Sequence, residues 1–282
     1  MLPNETPRRL EGVQKHERDV RARIGSLYIR DVGQGEAVLL LHDFPLNSRM
    51  WEPQIEALRG RYRLIAPDLT GFGLSPAPTA ELSLADHARE ILNSLNTLGI
   101  EAVTVAGVSA GALVALHLVE ELGARLQGLF LVNVSISADT PEATRWRHEL
   151  AAETELTGVE IVADEFLPKL LGSSTQRDHP EILDFLRLMI RENTPSGVAG
   201  MLRALAARPE ASGILARIHC PVVCVAGEED MLVSPQETHL IAERIPGALI
   251  PTIPETGHLP NLERPETFNE LLMQFMTEWV PR

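Results

Sequence analysis

Cysteine is almost absent from this chain. Among 282 residues only Cys220 and Cys224 occur, both in the stretch IHCPVVCVAG. If that stretch is a strand, four residues span about 13 Å, whereas a disulfide needs Cα atoms within about 7 Å. The two thiols therefore should not pair with each other. His219 beside Cys220 does not make a metal site, because one histidine and two cysteines strung along a strand cannot converge on one ion; core thiols are the expectation. Positive charge is scarce as well. Against 39 acidic side chains stand 25 Lys and Arg, a formal net charge of −14. That balance argues against nucleic acid or an anionic membrane surface as a partner, since both need clustered cations. Long apolar runs are missing too. None approaches a membrane span, and the opening MLPNETPRRLEG lacks the apolar centre of a signal peptide, so a cytoplasmic protein is expected.

What is present is the composition of an ordinary globular protein, 44% hydrophobic and 23% charged, long enough to bury a sizeable core. Six short runs read as buried strands: AVLLLH (37–42), YRLIAP (62–67), AVTVAG (102–107), GLFLVNV (128–134), PVVCVAG (221–227) and ALIPTIP (248–254). Their near-continuous apolar character implies burial on both faces, as in a parallel sheet. Helical patterns lie between most of them, for example over 84–99 and 234–247, so the fold class is α/β with a mostly parallel central sheet flanked by helices. Upstream, RARIGSLYIRDVG reads as an antiparallel hairpin turning near Gly25 and Ser26. Residues 1–17 carry no clear pattern.

The region 136–213 breaks the alternation. It offers no convincing strand and four amphipathic stretches, PEATRWRHELAAE, VEIVADEFLPKLLG, PEILDFLRLMIRE and SGVAGMLRALAA. Polar breaks at Gly172–Pro180 and Asn193–Gly197 separate them. This predicts a helical cap inserted between two strands, with 1–135 and 214–282 forming the core. An insertion on the strand ends where sites form would make a lid.

Chemistry concentrates in Gly107-Val108-Ser109-Ala110-Gly111. A serine hydroxyl is a poor nucleophile unless a base takes its proton and the geometry exposes it. A sharp turn from strand to helix achieves the exposure, and small residues on either side let the chain fold past itself. The helix from Ala110 to about Glu121 then aims its N-terminal amides where an oxyanion would develop. A serine of this kind needs a histidine, and the histidine an acid, following in the order acid then histidine at strand ends. Glu228-Glu229-Asp230-Met231 follows one strand, and Glu255-Thr256-Gly257-His258 follows the next. Asp230 and His258 are the candidates, with Glu228 and Glu229 read as a solvated acidic loop. A second oxyanion-hole amide, beside that of Ala110, should come from LLLHDFPLNSRMW, and the N–H of Phe44 is the candidate.

These residues together resemble the α/β-hydrolases, specifically serine carboxylesterases and their lactonase and perhydrolase relatives. The resemblance covers nearly everything from Ile24 to Trp279. It rests on HDFP (42–45) followed by Met50-Trp51, PDLTGFGLS (67–75), GVSAG, GEED (227–230) and GHLPNLERPE (257–266). It implies Ser109 as nucleophile, His258 as general base and then acid, and Asp230 as the orienting acid. Phe44 and Ala110 would supply the oxyanion hole and 136–213 the cap. One residue departs from the pattern. The family usually shows His-Gly at the oxyanion loop, whereas this chain has His42-Asp43. A carboxylate is thereby brought near a site that must stabilise negative charge, unless its side chain points away.

The same resemblance narrows the reaction. Dehalogenases and epoxide hydrolases of this kind carry aspartate at the elbow, where this chain has Ser109. Epoxide opening also uses lid tyrosines, but Tyr28 and Tyr62 lie outside 136–213. Carbon–carbon bond hydrolases usually show tryptophan after the histidine, where Leu259 stands, and the Gly-Gly-Pro-Gly loop of proline-specific peptidases is missing. Ester hydrolysis through an acyl-enzyme remains, on a small-molecule ester and without metal or organic cofactor, by a monomer or small homo-oligomer. Lactone hydrolysis or perhydrolysis by the same residues is an alternative, and a non-catalytic ligand receptor is one of another class. Because 136–213 is rich in Leu, Met and Ala, the pocket is expected to be apolar and to suit modest acyl chains.

Overall fold

The computed structural model describes residues 18–280. The hairpin expected around Gly25 is formed by β1 (Asp19–Ile24) and β2 (Leu27–Val32), with Gly25 at φ 63 in its turn. The chain then runs through β3 (Ala37–Leu41), α1 (Glu52–Leu58), β4 (Arg63–Asp68), α2 (Leu84–Thr97), β5 (Val103–Val108), α3 (Ala110–Leu122) and β6 (Leu126–Val132). Six helices follow before the next strand: α4 (Pro141–Thr157), α5 (Glu160–Leu170), α6 (Ser173–Asp178), α7 (Glu181–Arg191), α8 (Pro195–Ala206) and α9 (Ser212–Leu215). The last part comprises β7 (Val222–Gly227), α10 (Pro235–Ala242), β8 (Thr252–Ile253), α11 (Pro260–Glu263) and α12 (Pro265–Glu278).

The strands make one sheet in the order β1-β2-β4-β3-β5-β6-β7-β8, antiparallel at β1-β2 and β2-β4 and parallel from β4 onward. Every residue of β5 and of β7 is buried, as their unbroken apolar runs require of strands covered on both faces. Parallel strands carry their C-terminal ends to the same edge, so the loops after β3, β5, β6, β7 and β8 converge there. Among the described residues no helix is long and apolar enough to cross a membrane.

One expectation about the polar breaks fails. The stretch from Gly172 to Pro180 contains the short helix α6. Its first turn is capped from far along the chain: the Glu229 carboxylate accepts from the amide of Ser174 (2.9 Å) and from the hydroxyls of Ser173 (3.0 Å) and Ser174 (2.6 Å). Orphan amides at a helix start need such a partner, and here it is tertiary rather than local. Glu229 is therefore not the solvated acid that its neighbours suggested.

The break at 193–197 is a seam. Asn193 accepts from the Gly73 amide (2.7 Å) and donates to the Pro45 carbonyl (2.7 Å), while the amide and hydroxyl of Thr194 both donate to the Gly71 carbonyl. Gly71, at φ 87, lies directly on Gly197 in the first turn of α8, and a Cβ on either would fall on the other's Cα.

Candidate active site

Ser109 joins β5 to α3 with φ 48 and ψ −105. A non-glycine residue held there stores about 1–3 kcal/mol of backbone strain, which the surrounding structure must over-determine. The constraint is visible on both sides. The Ser109 amide donates to Val132 (2.9 Å) and its carbonyl accepts from Leu113 (3.0 Å). A Cβ on Gly107 would sit 2.7 Å from the backbone of Gly111 and Ala112, and one on Gly111 would meet the Leu41 carbonyl. Both glycines are thus required by backbone lying against backbone. The turn leaves Ser109 facing a cavity while Ala110 behind it is buried.

His258 and Asp230 come to the same place from β8 and β7. The His258 ring donates from Nδ1 to Asp230 Oδ2 at 2.8 Å, and Asp230 Oδ1 accepts the amides of Leu232 (2.8 Å) and Val233 (3.1 Å). Both side chains are buried. Two residues not anticipated from the sequence hold this pair. Asn133, at φ 46 after β6 and fully buried, donates to the carbonyls of Gly257 and His258 (3.0 Å each) and accepts the Gly227 amide (2.9 Å). It thereby ties the acid loop to the histidine loop. Glu263 accepts the amides of Gly172, Gly257 and Leu259, fastening the histidine loop to the end of the α5 segment. A lone asparagine closing an apolar strand was the only available signal for the first.

The sequence left the direction of Asp43 open, and the structure turns it inward. Asp43 is 1% exposed. Its Oδ1 accepts the Ala110 amide at 3.2 Å, the very donor expected to hold an oxyanion. Its Oδ2 lies 3.3 Å from His258 Nε2, an ion-pair distance without the alignment of a hydrogen bond. His258 is thus flanked by a carboxylate at each ring nitrogen. Burial opposes its charge, but Asp230 and Asp43 together overcome that and push its pKa up to about 10. Ser109 Oγ has no hydrogen-bond partner among the described residues. Neighbouring His42 stays neutral by contrast. Burial lowers its pKa, Nε2 accepts the Leu69 amide (3.0 Å) and Nδ1 donates to the Asp43 carbonyl (2.9 Å).

Ser109, Ala110, Phe44, Asp43 and His258 all line one cavity of about 360 Å³, with Asp230 behind the histidine. Phe44, Leu113, Phe166 and Leu205 give it apolar walls, and the Phe44 and Phe166 rings meet edge to face at 5.2 Å. The largely apolar lining expected from the sequence is joined by charged groups it did not foresee. Asp139, Arg147, Arg208 and Glu237 also line the cavity. Arg147 reaches it from α4 and Arg208 from the turn after α8. No group of three or more His, Cys, Asp or Glu among the described residues is placed to hold a metal ion.

Ser109 thus sits in a strained turn after a central parallel strand, with Asp230 and His258 brought together from the ends of the following strands. Residues 38–271 match the model of the alpha/beta hydrolase family, and the chain belongs to that family. Among solved structures, a thermophilic esterase from Thermogutta terrifontis is similar with a TM-score of 0.87 and 32% identity, covering 91% of this chain and 98% of that one. The 3-oxoadipate enol-lactonase 2 of Acinetobacter baylyi is 26% identical over 245 residues, 85% of this chain and 88% of its own length. The enol-lactonase of Burkholderia xenovorans LB400 shares the fold at a TM-score of 0.83 and 23% identity, over 92% of this chain and 100% of that one.

Proposed function

We propose that this protein is a carboxylic ester hydrolase working through an acyl-enzyme on Ser109. The observation that carries the proposal is the strained Ser109 backbone, facing the same cavity as a His258 ring whose far nitrogen is bonded to buried Asp230 at 2.8 Å. In this reading residues 136–213 form the cap over the cavity, and 1–135 with 214–282 the hydrolase core. The similarity to the Thermogutta terrifontis esterase supports the reaction class.

The geometry supports the following mechanism. The ester carbonyl enters the hole and displaces the Asp43 carboxylate from the Ala110 amide, leaving that amide and the Phe44 amide for the oxyanion. With Asp43 drawn off, His258 loses one of its two counter-charges and becomes a base able to take the Ser109 proton. Ser109 Oγ then bonds to the carbonyl carbon, and His258 returns the proton to the departing alcohol as the ester C–O bond breaks. Water repeats the cycle on the acyl-enzyme, and Asp230 holds the imidazole orientation throughout. A cyclic ester would be opened by the same steps, as the likeness to the Acinetobacter baylyi enol-lactonase allows.

The occupied hole favours one second reading, a ligand receptor that turns over little. One experiment separates the two: incubation with a chromogenic short-chain ester and with a serine-directed phosphonate. Turnover, and labelling that maps to Ser109 and vanishes in Ser109→Ala, is the expected result. Absence of both leaves the receptor reading.

A further inference from the structure

On one wall of the cavity two guanidiniums depend on one carboxylate. Asp139 is a single carboxylate, its side chain buried just before α4, and two guanidiniums share it: Arg147 Nε donates to Oδ2 at 2.7 Å, and Arg208 Nη2 lies at ion-pair distance, 2.7 Å, from Oδ1. Arg208 also donates from Nη1 to the Leu205 carbonyl (2.7 Å), yet its Nε is buried with no hydrogen-bond partner. Its side chain is only 10% exposed, and burial lowers its pKa. Arg147 uses Nε alone. Its remaining N–H groups find no acceptor among the described residues, and its guanidinium lies 5.7 Å from the Trp146 ring centre. The other charged groups on the cavity are already engaged. Glu237 turns its carboxylate onto Ser234 and Ser135, and Asp43 is paired with His258.

The cavity is partly open to solvent, and Arg147 on its wall keeps part of its guanidinium exposed. A structural tie between α4 and the segment after α8 would need only one of the arginines, and the N–H groups that Arg147 leaves unpaired call for an acceptor. The missing partner is an anion with two acceptor oxygens, and the planar fork of a guanidinium matches a carboxylate in shape and charge.

We propose that Arg147 and Arg208, held in place by Asp139, form a carboxylate-recognition subsite, so that the ester cleaved at Ser109 carries a free carboxylate on its acyl or alcohol part. This rests on the ester-hydrolase reading for the reaction, but not for the binding. A cavity of about 360 Å³ lies at the small end of ligand sites, which suits a half-ester of a short dicarboxylic acid.

The test compares kcat/KM for monomethyl glutarate and dimethyl glutarate in the wild type, Arg147→Gln and Arg208→Gln. It is run beside calorimetric titration of glutarate into Ser109→Ala, with and without Arg147→Gln. Charge-assisted bidentate contacts of this kind are worth about a ten- to hundredfold preference. The expected result is a wild-type ratio favouring the half-ester that falls at least about tenfold in either arginine variant, with glutarate binding lost when Arg147 is removed. A ratio that is the same in wild type and folded Arg147→Gln overturns the proposal, as does glutarate that fails to bind Ser109→Ala at millimolar concentration. Should Arg208→Gln not fold, Arg147→Gln and the titration decide alone. If neither ester is cleaved but glutarate binds in an Arg147-dependent way, the subsite stands and the hydrolase reading fails.

Discussion

Replacing Asp43 by asparagine keeps the side chain's shape and removes its charge, which isolates what that charge does to His258. With its pKa pushed up to about 10, only about one His258 in a thousand is neutral at neutral pH. In the mechanism proposed above the imidazolium cannot accept the Ser109 proton, so the base would be the neutral ring, populated as pH rises through that pKa. Two unit charges 3.3 Å apart attract by about 5 kcal/mol at an effective dielectric of about 20, an upper bound because Asp230 and burial remain. Removing one of two similar counter-charges should move the rising limb of the pH profile about one to two units toward neutrality. Each unit raises the neutral fraction about tenfold. Asp43→Asn is therefore expected to raise kcat/KM at neutral pH about ten- to hundredfold on a short-chain chromogenic ester. The assay is the full pH dependence of kcat/KM, which reports groups of the free enzyme. An unmoved limb would refute the electrostatic argument. A folded variant with less activity than the wild type would show that Asp43 takes part in turnover rather than restraining it.

Asp230→Asn should lower kcat by about 10⁴-fold, because it removes the partner of His258 Nδ1. Glu228→Gln should stay within a few-fold, since among the described residues the exposed Glu228 carboxylate accepts only the Glu255 amide; equal losses in steady-state kinetics would mean that the wrong carboxylate has been named. Asn133→Ala strands two buried carbonyls and one amide, an expected cost of about 2–4 kcal/mol. It would be read as a lower urea midpoint at unchanged slope, and an unchanged midpoint would contradict the role given to this side chain.

The elbow was legible because its determinants are local. A serine between glycines, at the end of one apolar run and the start of another, specifies strand, turn and helix within a dozen residues. Asp230 and His258 were legible for a related reason, since parallel strands deliver their C-terminal loops to one edge whatever the details between them. Asp43 was noticed as a departure, but its direction depends on contacts with Ala110 and His258 that no local pattern encodes. The cap of α6 comes from Glu229, so a stretch of serines with no local helix start was read as a break. Arg147 and Arg208 escaped because composition averages over all sides of a segment, and a Leu- and Ala-rich one can still place two arginines on the cavity.

The contact of Gly71 with Gly197 bears on how this chain can be recombined. Neither glycine can gain a side chain while the other keeps its place, so the two positions change together or not at all. A chimaera that imports the helices between β6 and β7 from a relative brings in only one half of that fit, and the other half stays in the recipient's loop after β4. Graft boundaries drawn at the ends of the helical segment would look clean in an alignment and still fail on two α-carbons.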